Sequence, residues 1–509
     1  MSDAIDLSAR EAVAHIRDGA MKAEAYAARL IERRRALESL AAIAWMDEDR
    51  LLEAARRVDT ARLRGETLGP LGGLPVVVKD NIDTVGFPTS AGTASLKSLT
   101  PKADAPVAAA LWRAGALLFA KANMHELAGG GTSSNPAFGF ARNPHDPART
   151  PGGSSGGTAA ALAARIVAAG LGSDTAGSVR IPSAFCGTAA LRPSIAGARK
   201  LYSDEGVVPL AADLDTIGPM ARTIADVAFL HEAITGQSIP TNGLKGVRIG
   251  LPRGHHWEAL DDDLRKVAEA AMVRLREAGA IVIDVDFSAF AAAAWPVFEI
   301  LLVNGFKSDL ANYLARHAPQ FDASEVIDRI ESRDTKRLFD MARDAHFAPE
   351  AIAAARTSLR ESVQAQYAEI FRENGLDAIA YPTEPLTAPL IPPGGDQFED
   401  EVVVGGKAVN KVGVLIRNTG MTCAIGAPGV SLPAGLTDAG LPVGLELDGR
   451  AGGDAALLAL GAAAERAIGL LPPPTTQAIL RGLWKVDGGR RPTLVAPIRG
   501  NVVERVGRA

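Results

Sequence analysis

The 509-residue sequence predicts an α/β fold in which helices cover a mostly parallel sheet. Three observations carry that expectation. Short apolar, β-branched runs alternate with helical patterns along the chain. Apolar residues make up 47% of the sequence, enough for a large core. The 52 glycines and 31 prolines supply frequent turns between elements.

Residues 1–65 read as an N-terminal helical segment. Ser8-Ala9-Arg10-Glu11 has the spacing of a capping box, whose two side chains satisfy backbone N–H groups of the first turn. Tyr26, Leu30 and Leu37 recur at helical spacing, and Arg33, Arg34 and Arg35 are placed on a solvated outer face. At Gly69-Pro70-Leu71-Gly72-Gly73 the pattern changes, and 74–80 reads as a buried strand. A helix follows over 105–114, a strand over 116–121 and an Ala-rich helix over 158–169. Strands at 247–251 and 280–285 then flank a helix at 261–277. The stretch from 257 to about 374 is chiefly helical and reads as an insert or cap within a catalytic domain spanning 66–480. Pro392-Pro393-Gly394-Gly395 reads as a loop. Residues 481–509 form a basic extension, a solvated terminus or a tail for a partner.

Composition excludes several function classes. The chain carries 54 Lys+Arg against 59 Asp+Glu, a net charge of -5, so no global field draws nucleic acid or an anionic membrane. The acidic start lacks a signal peptide, and glycines and prolines break the uncharged run 418–437. A soluble cytoplasmic protein is expected. Two cysteines exclude a disulfide scaffold, and nothing around them reads as a metal cage.

The chemistry concentrates between Pro151 and Pro193. Pro151-Gly152-Gly153-Ser154-Ser155-Gly156-Gly157 runs into the Ala-rich helix, and Gly172-Ser173-Asp174-Thr175-Ala176-Gly177-Ser178-Val179-Arg180 follows. Such a backbone turns sharply and exposes N–H groups. A phosphate cradle is one reading, but neither glycine fingerprint for phosphate is present. A tight turn without chemistry is another. The third is a serine nucleophile at Ser178, with converging N–H groups to stabilise an oxyanion. None of the eight histidines is a persuasive base; His125, His145, His255 and His256 read as structural or solvated. Lys79 ends an apolar run, where burial would leave a neutral amine able to accept a proton. Snorkelling to solvent is the equal alternative.

Combined motifs then identify a resemblance. The segments 74–81, Ala120–Leu127, Asn135–Gly139, Arg142–Pro144, 152–157, 172–187, 214–219, 381–383 and 440–444 together resemble the amidase signature family of serine amidohydrolases. The likeness spans roughly residues 10–470. It implies a large mixed β-sheet covered on both faces by helices. It also implies a triad of Lys79, Ser154 in a cis peptide link, and nucleophile Ser178. The N–H groups of Thr175, Ala176, Gly177 and Ser178 would form the oxyanion hole. Gly129, Gly130, Thr132, Ser155, Asp174 and Arg180 would line the substrate or support the loops. Neither metal nor organic cofactor is implied, and the partner is a small-molecule amide; a homodimer is compatible. Ala176, Ala190 and Arg192 depart from the usual pattern. Within the family, Asn123–Leu127, Arg180–Gly187 and 416–419 resemble bacterial aryl-acetamide hydrolases, and Gly129-Gly130-Gly131 fits either a roomy acyl pocket or backbone turns. Anilide or carbamate hydrolysis is an alternative. So is the amidase-like subunit of a tRNA-dependent amidotransferase, which usually carries glutamine where this chain has Ile181.

Overall fold

The computed structural model describes residues 3–196, 199–392 and 401–486. Residues 393–395 of the expected loop and 487–509 of the basic extension lie outside these; Arg481 and Lys485 fall in the helix Thr476–Val486.

The described strands, numbered along the chain, begin with β1 (Ile43–Trp45), β2 (Pro75–Lys79), β3 (Leu117–Ala122), β4 (Ala169–Asp174) and β5 (Ala189–Arg192). Then come β6 (Ile195–Ala196), β7 (Arg199–Lys200), β8 (Thr216–Ala221), β9 (Arg248–Pro252) and β10 (Ile281–Val285). The last are β11 (Ala378–Pro382), β12 (Glu401–Val404), β13 (Lys407–Asn410), β14 (Gly429–Leu436) and β15 (Pro442–Asp448). Eleven of them form one sheet in the order β1-β3-β2-β4-β8-β5-β14-β15-β11-β9-β10.

Strand–helix alternation foretells only the flanks of this sheet. There β3, β2 and β4 run parallel, as do β11, β9 and β10. The strands between them join antiparallel, so the sheet is mixed rather than mostly parallel. At β14–β15 the reason is local: the turn after Leu436 returns at once, with Thr437 N–H donating to Leu441 O at 2.9 Å, and a hairpin can only pair antiparallel.

Local chemistry explains the helices. Ser8 and Glu11 close the expected capping box at the start of Ala9–Arg17. Tyr26, Leu30 and Leu37 are buried. Arg33 is not on the outer face: it is buried, its Nε donating 2.8 Å to Ala164 O. The Ala-rich helix spans only Gly156–Ala163, because Arg165 turns left-handed at φ 58° and sends the chain into β4. The helical stretch begins at 288 rather than 257, since 262–285 supply the helix Asp262–Glu277 and edge strand β10. The helices Ser288–His317, Ala323–Asp328, Arg333–Asp344, Pro349–Arg356 and Ser358–Asn374 follow.

Two large apolar cores support the sheet. One joins the N-terminal helices to β2–β4 through residues such as Leu30, Val77 and Phe119. The other packs β9, β11, β14 and β15 with Met272, Phe298 and Leu458. The helix Ser288–His317 is long and apolar enough to cross a membrane, but Phe290, Phe298 and Leu301 bury it in that second core.

Candidate active site

Lys79 stands at the end of β2, which is enclosed between β3 and β4. Burial is complete, so the side chain does not snorkel. Its Nζ lies 2.7 Å from Ser154 Oγ, 2.8 Å from Ser173 Oγ and 3.3 Å from Ser173 O. Burial lowers its pKa to about 7, against the opposing pull of Asp174 and Asp215. Asn81 Nδ2 also donates to Ser173 Oγ, at 3.0 Å, which fixes that hydroxyl.

Ser154 follows the cis peptide bond Gly153–Ser154. Its carbonyl accepts from His125 N–H at 3.1 Å, while Ser155 N–H donates to Ser178 O at 3.1 Å. The Gly-rich segment and the loop after β4 therefore lie side by side. Ser155 Oγ donates to Ser173 O at 3.2 Å. Ser178 is 7% exposed, and its hydroxyl makes no hydrogen bond among the described residues. The contact between Lys79 and Ser154 is thus formed, whereas no hydrogen bond joins the Ser154 and Ser178 hydroxyls among the described residues.

Asp174 shapes the loop that carries Ser178. Its carboxylate accepts from Gly177 N–H at 2.9 Å and Val179 N–H at 3.2 Å, and from Arg180 Nε and Nη2, each at 3.1 Å. Arg192 Nη1 reaches Asp174 Oδ1 at 2.9 Å and Asp174 O at 2.7 Å. Burial alone would raise the Asp174 pKa, but the two guanidinium groups hold it well below the usual carboxylate range. The Gly177 N–H is consequently spent on Asp174 and is not free for an oxyanion. Those of Thr175, Ala176 and Ser178 make no hydrogen bond among the described residues. Gly177 is needed for another reason: its φ is 123°, and a Cβ would come within 2.3 Å of Thr419 Oγ1. Thr419 Oγ1 in turn bonds Ala176 O.

Arg180 also meets Glu446 Oε1 at 3.0 Å and Thr419 O at 3.1 Å. Burial raises the Glu446 and Asp448 carboxyls, more than Arg180 lowers them.

The triglycine run does not open a pocket by its own lack of side chains. A Cβ at Gly129 would meet Thr335 Cγ2 at 2.7 Å, one at Gly130 the His125 ring at 2.2 Å, and one at Gly131 Leu415 Cδ1 at 3.0 Å. The space is filled by protein, and close packing explains these glycines. Thr132 Oγ1 lies 3.5 Å from His125 Nδ1, whose Nε2 is 3.2 Å from Ser332 Oγ. His125 is fully buried, and burial lowers its pKa to about 4, so it stays a neutral structural group beside Ser154. His256 is buried rather than solvated, its ring centroid 4.1 Å from that of Tyr381 with the two rings tilted by 37°.

Ser173, Asn81, Asp215, Arg192 and Thr419 complete the site and escape motif reading as functional groups. Among the described residues no group of three or more metal-ligating side chains is assembled.

A buried amine on one serine hydroxyl, a second hydroxyl left free and three unspent N–H groups are the parts that a serine-dependent acyl transfer would use. The chain belongs to the amidase (amidase signature) family: the family model for amidase matches residues 24–458. It is 39% identical to an indoleacetamide hydrolase of Agrobacterium vitis over 446 residues, covering 86% of this chain and 92% of that one. Identity to a mandelamide hydrolase of Pseudomonas putida is 33% over 428 residues, 81% of each chain. A crystal structure described as an amidase superposes with a TM-score of 0.79 at 31% identity, covering 91% of this chain and 100% of that one. The protein is therefore a hydrolase acting on amide C–N bonds.

Proposed function

We propose that the chain hydrolyses a primary carboxamide of aryl-acetamide type to carboxylate and ammonia through an acyl-enzyme on Ser178. The observation that carries the mechanism is the 2.7 Å contact between fully buried Lys79 and Ser154. Near neutrality the amine is free to take a proton. Ser154 relays it from Ser178, whose Oγ attacks the amide carbon as the oxygen gains charge facing the N–H groups of Thr175, Ala176 and Ser178. The relay returns that proton to the departing nitrogen, the C–N bond breaks, and water attacks the ester by the same route. Arg180, Asp174 and Ser155 hold the two loops in register. The substrate class is supported by the relatives' activities, on indoleacetamide and mandelamide.

The test is amine release from aliphatic amides, arylacetamides, anilides and carbamates, by wild type and Ser178→Ala. We expect arylacetamides to lead and Ser178→Ala to lose about 1000-fold or more while remaining folded. A Ser178→Ala enzyme near wild-type turnover refutes the nucleophile. Turnover with anilides or carbamates ahead of arylacetamides refutes the substrate class, and ammonia delivery from glutamine only with partner subunits present would replace it with the amidotransferase reading.

A further inference from the structure

We propose that Asp215 is a positioning residue for this acyl transfer, holding the Thr175 end of the oxyanion loop and presenting a fixed negative charge to Lys79. The inference rests on the mechanism above and adds a residue to it. Sheet topology supplies the placement. β2 runs parallel to β4, and β8 antiparallel to β4 with Thr216 opposite Asp174. The end of β2, the end of β4 and the start of β8 therefore share one edge of the sheet. Asp215, immediately before β8, stands on the edge that carries Lys79 and Asp174.

Its contacts are specific. Asp215 Oδ1 accepts from Thr175 Oγ1 at 2.5 Å, and Oδ2 accepts from Leu210 N–H at 2.9 Å and Ala211 N–H at 3.1 Å. One oxygen grips the first residue of the loop while the other is anchored to a turn of its own segment, itself closed by Leu214 N–H on Ala211 O at 2.8 Å. The carboxylate is 5% exposed.

Around it stand Lys79 and Asp174 on the sheet edge, and Arg192 of β5 with Nη2 on Leu214 O at 2.7 Å. Lys200 of β7 donates to Ala212 O and Asp309 accepts from Ala212 N–H, both at 2.7 Å. In the same turn Asp213 accepts from Arg356 Nε at 2.7 Å through its carboxylate and from Arg360 Nη1 at 3.4 Å through its carbonyl. Toward Lys79 itself the facing groups are Asp174, Asp215 and His125. Burial raises the Asp215 pKa to about 6, so the charge is present where Lys79, at about 7, gives up its proton.

Two isosteric variants separate the two roles. Asp215→Asn removes the charge and keeps the shape, because the Thr175 hydroxyl can turn to accept from the new amide. Losing a nearby negative charge makes the lysine easier to deprotonate, so the acid limb of kcat/KM moves down by about one pH unit. Asp215→Glu restores it toward the wild-type position. Thr175→Val keeps the Asp215 carboxyl and the backbone N–H but frees the loop; plateau kcat falls about tenfold or more with little change in KM. An unmoved limb in folded Asp215→Asn overturns the electrostatic role, and wild-type plateau kcat in Thr175→Val overturns the positioning role. Should Asp215→Asn not fold, Asp215→Ser, which also removes the charge, decides: a limb moved down supports the electrostatic role, and an unmoved limb in folded protein overturns it. Failure of the underlying mechanism looks different, since there Lys79→Met would keep both turnover and the limb.

Discussion

Replacing Lys79 by methionine should abolish turnover and stabilise the protein at neutral pH. The side chain is fully buried, and its pKa falls from 10.5 to about 7, chiefly through burial. A shift of that size corresponds to about 5 kcal/mol. The sign follows from proton counting. Between about pH 7 and 10.5 the unfolded chain holds a proton on this lysine and the folded chain does not, so stability rises with pH across that window and the full penalty is present below it. Methionine has similar volume and no charge to desolvate. It leaves the Ser154 hydroxyl without its donor and takes one of two donors from Ser173 Oγ, which keeps Asn81 Nδ2, a loss of about 1–3 kcal/mol. The net expectation at pH 7 is a gain of about 2–4 kcal/mol, read as a higher urea midpoint, shrinking toward pH 10. The same purified protein is assayed for ammonia release, where loss of the base costs about 100-fold or more. In wild type at pH 7.5 about three quarters of the molecules carry a neutral amine, against about one in a thousand for an ordinary lysine, so the kcat/KM limb centres near 7. A limb near pH 10, or a Lys79→Met protein less stable than wild type at pH 7, refutes the claim that the lysine is held neutral.

Other expectations follow from the loop after β4. Gly177→Ala should lower both thermal stability and kcat, because alanine at φ 123° meets Thr419 Oγ1 and displaces the loop; a melting temperature and kcat equal to wild type would contradict this. Arg192→Gln removes one of the two cations on buried Asp174 and should cost about 3–5 kcal/mol by chemical denaturation. It should also move the kcat/KM limb upward, since Asp174 less compensated favours the protonated lysine; a downward or absent shift in folded protein would count against that electrostatic reading.

Legibility in the sequence depended on whether a residue's partners are near it in the chain. The capping box at Ser8 and Glu11 is local, and so it could be read directly. Lys79 at a strand end and Ser178 after a small-residue run carried clear chemical signals, but their choice as base and nucleophile needed the family likeness. Burial of Lys79 was undecidable beforehand, because it depends on β3 and β4 closing over β2. Arg33 looked solvated because its acceptor, Ala164 O, is 131 residues away. The Ala-rich helix seemed to reach 169 because its stop is a left-handed arginine, not a glycine or proline. Ser173 reads as filler in a strand until β2 sets an amine against it. The antiparallel centre of the sheet was hidden for the same reason: strand–helix alternation says nothing about strands that pair across long loops.

Charge balance explains why the surroundings of Ser178 hold so many buried ionisable groups. Asp174, Glu446 and Asp448 face Arg180 and Arg192, all essentially excluded from water. Fully ionised, three acids against two guanidinium groups would leave one uncompensated negative charge in the interior, a costly state. Burial raises Glu446 and Asp448 together, which favours protonation within the pair and moves the cluster toward neutrality. The two arginines can then spend their charge on Asp174, which stays ionised and keeps its grip on the N–H groups of Gly177 and Val179. This has a consequence for Lys79. An uncompensated Asp174 would pull the lysine toward its protonated form, and a protonated lysine cannot draw a proton through Ser154. On the proposed mechanism, the arginines would hold the Ser178 loop through Asp174 and also leave the amine free to be neutral, tying the geometry of one loop to the protonation state of the strand beside it.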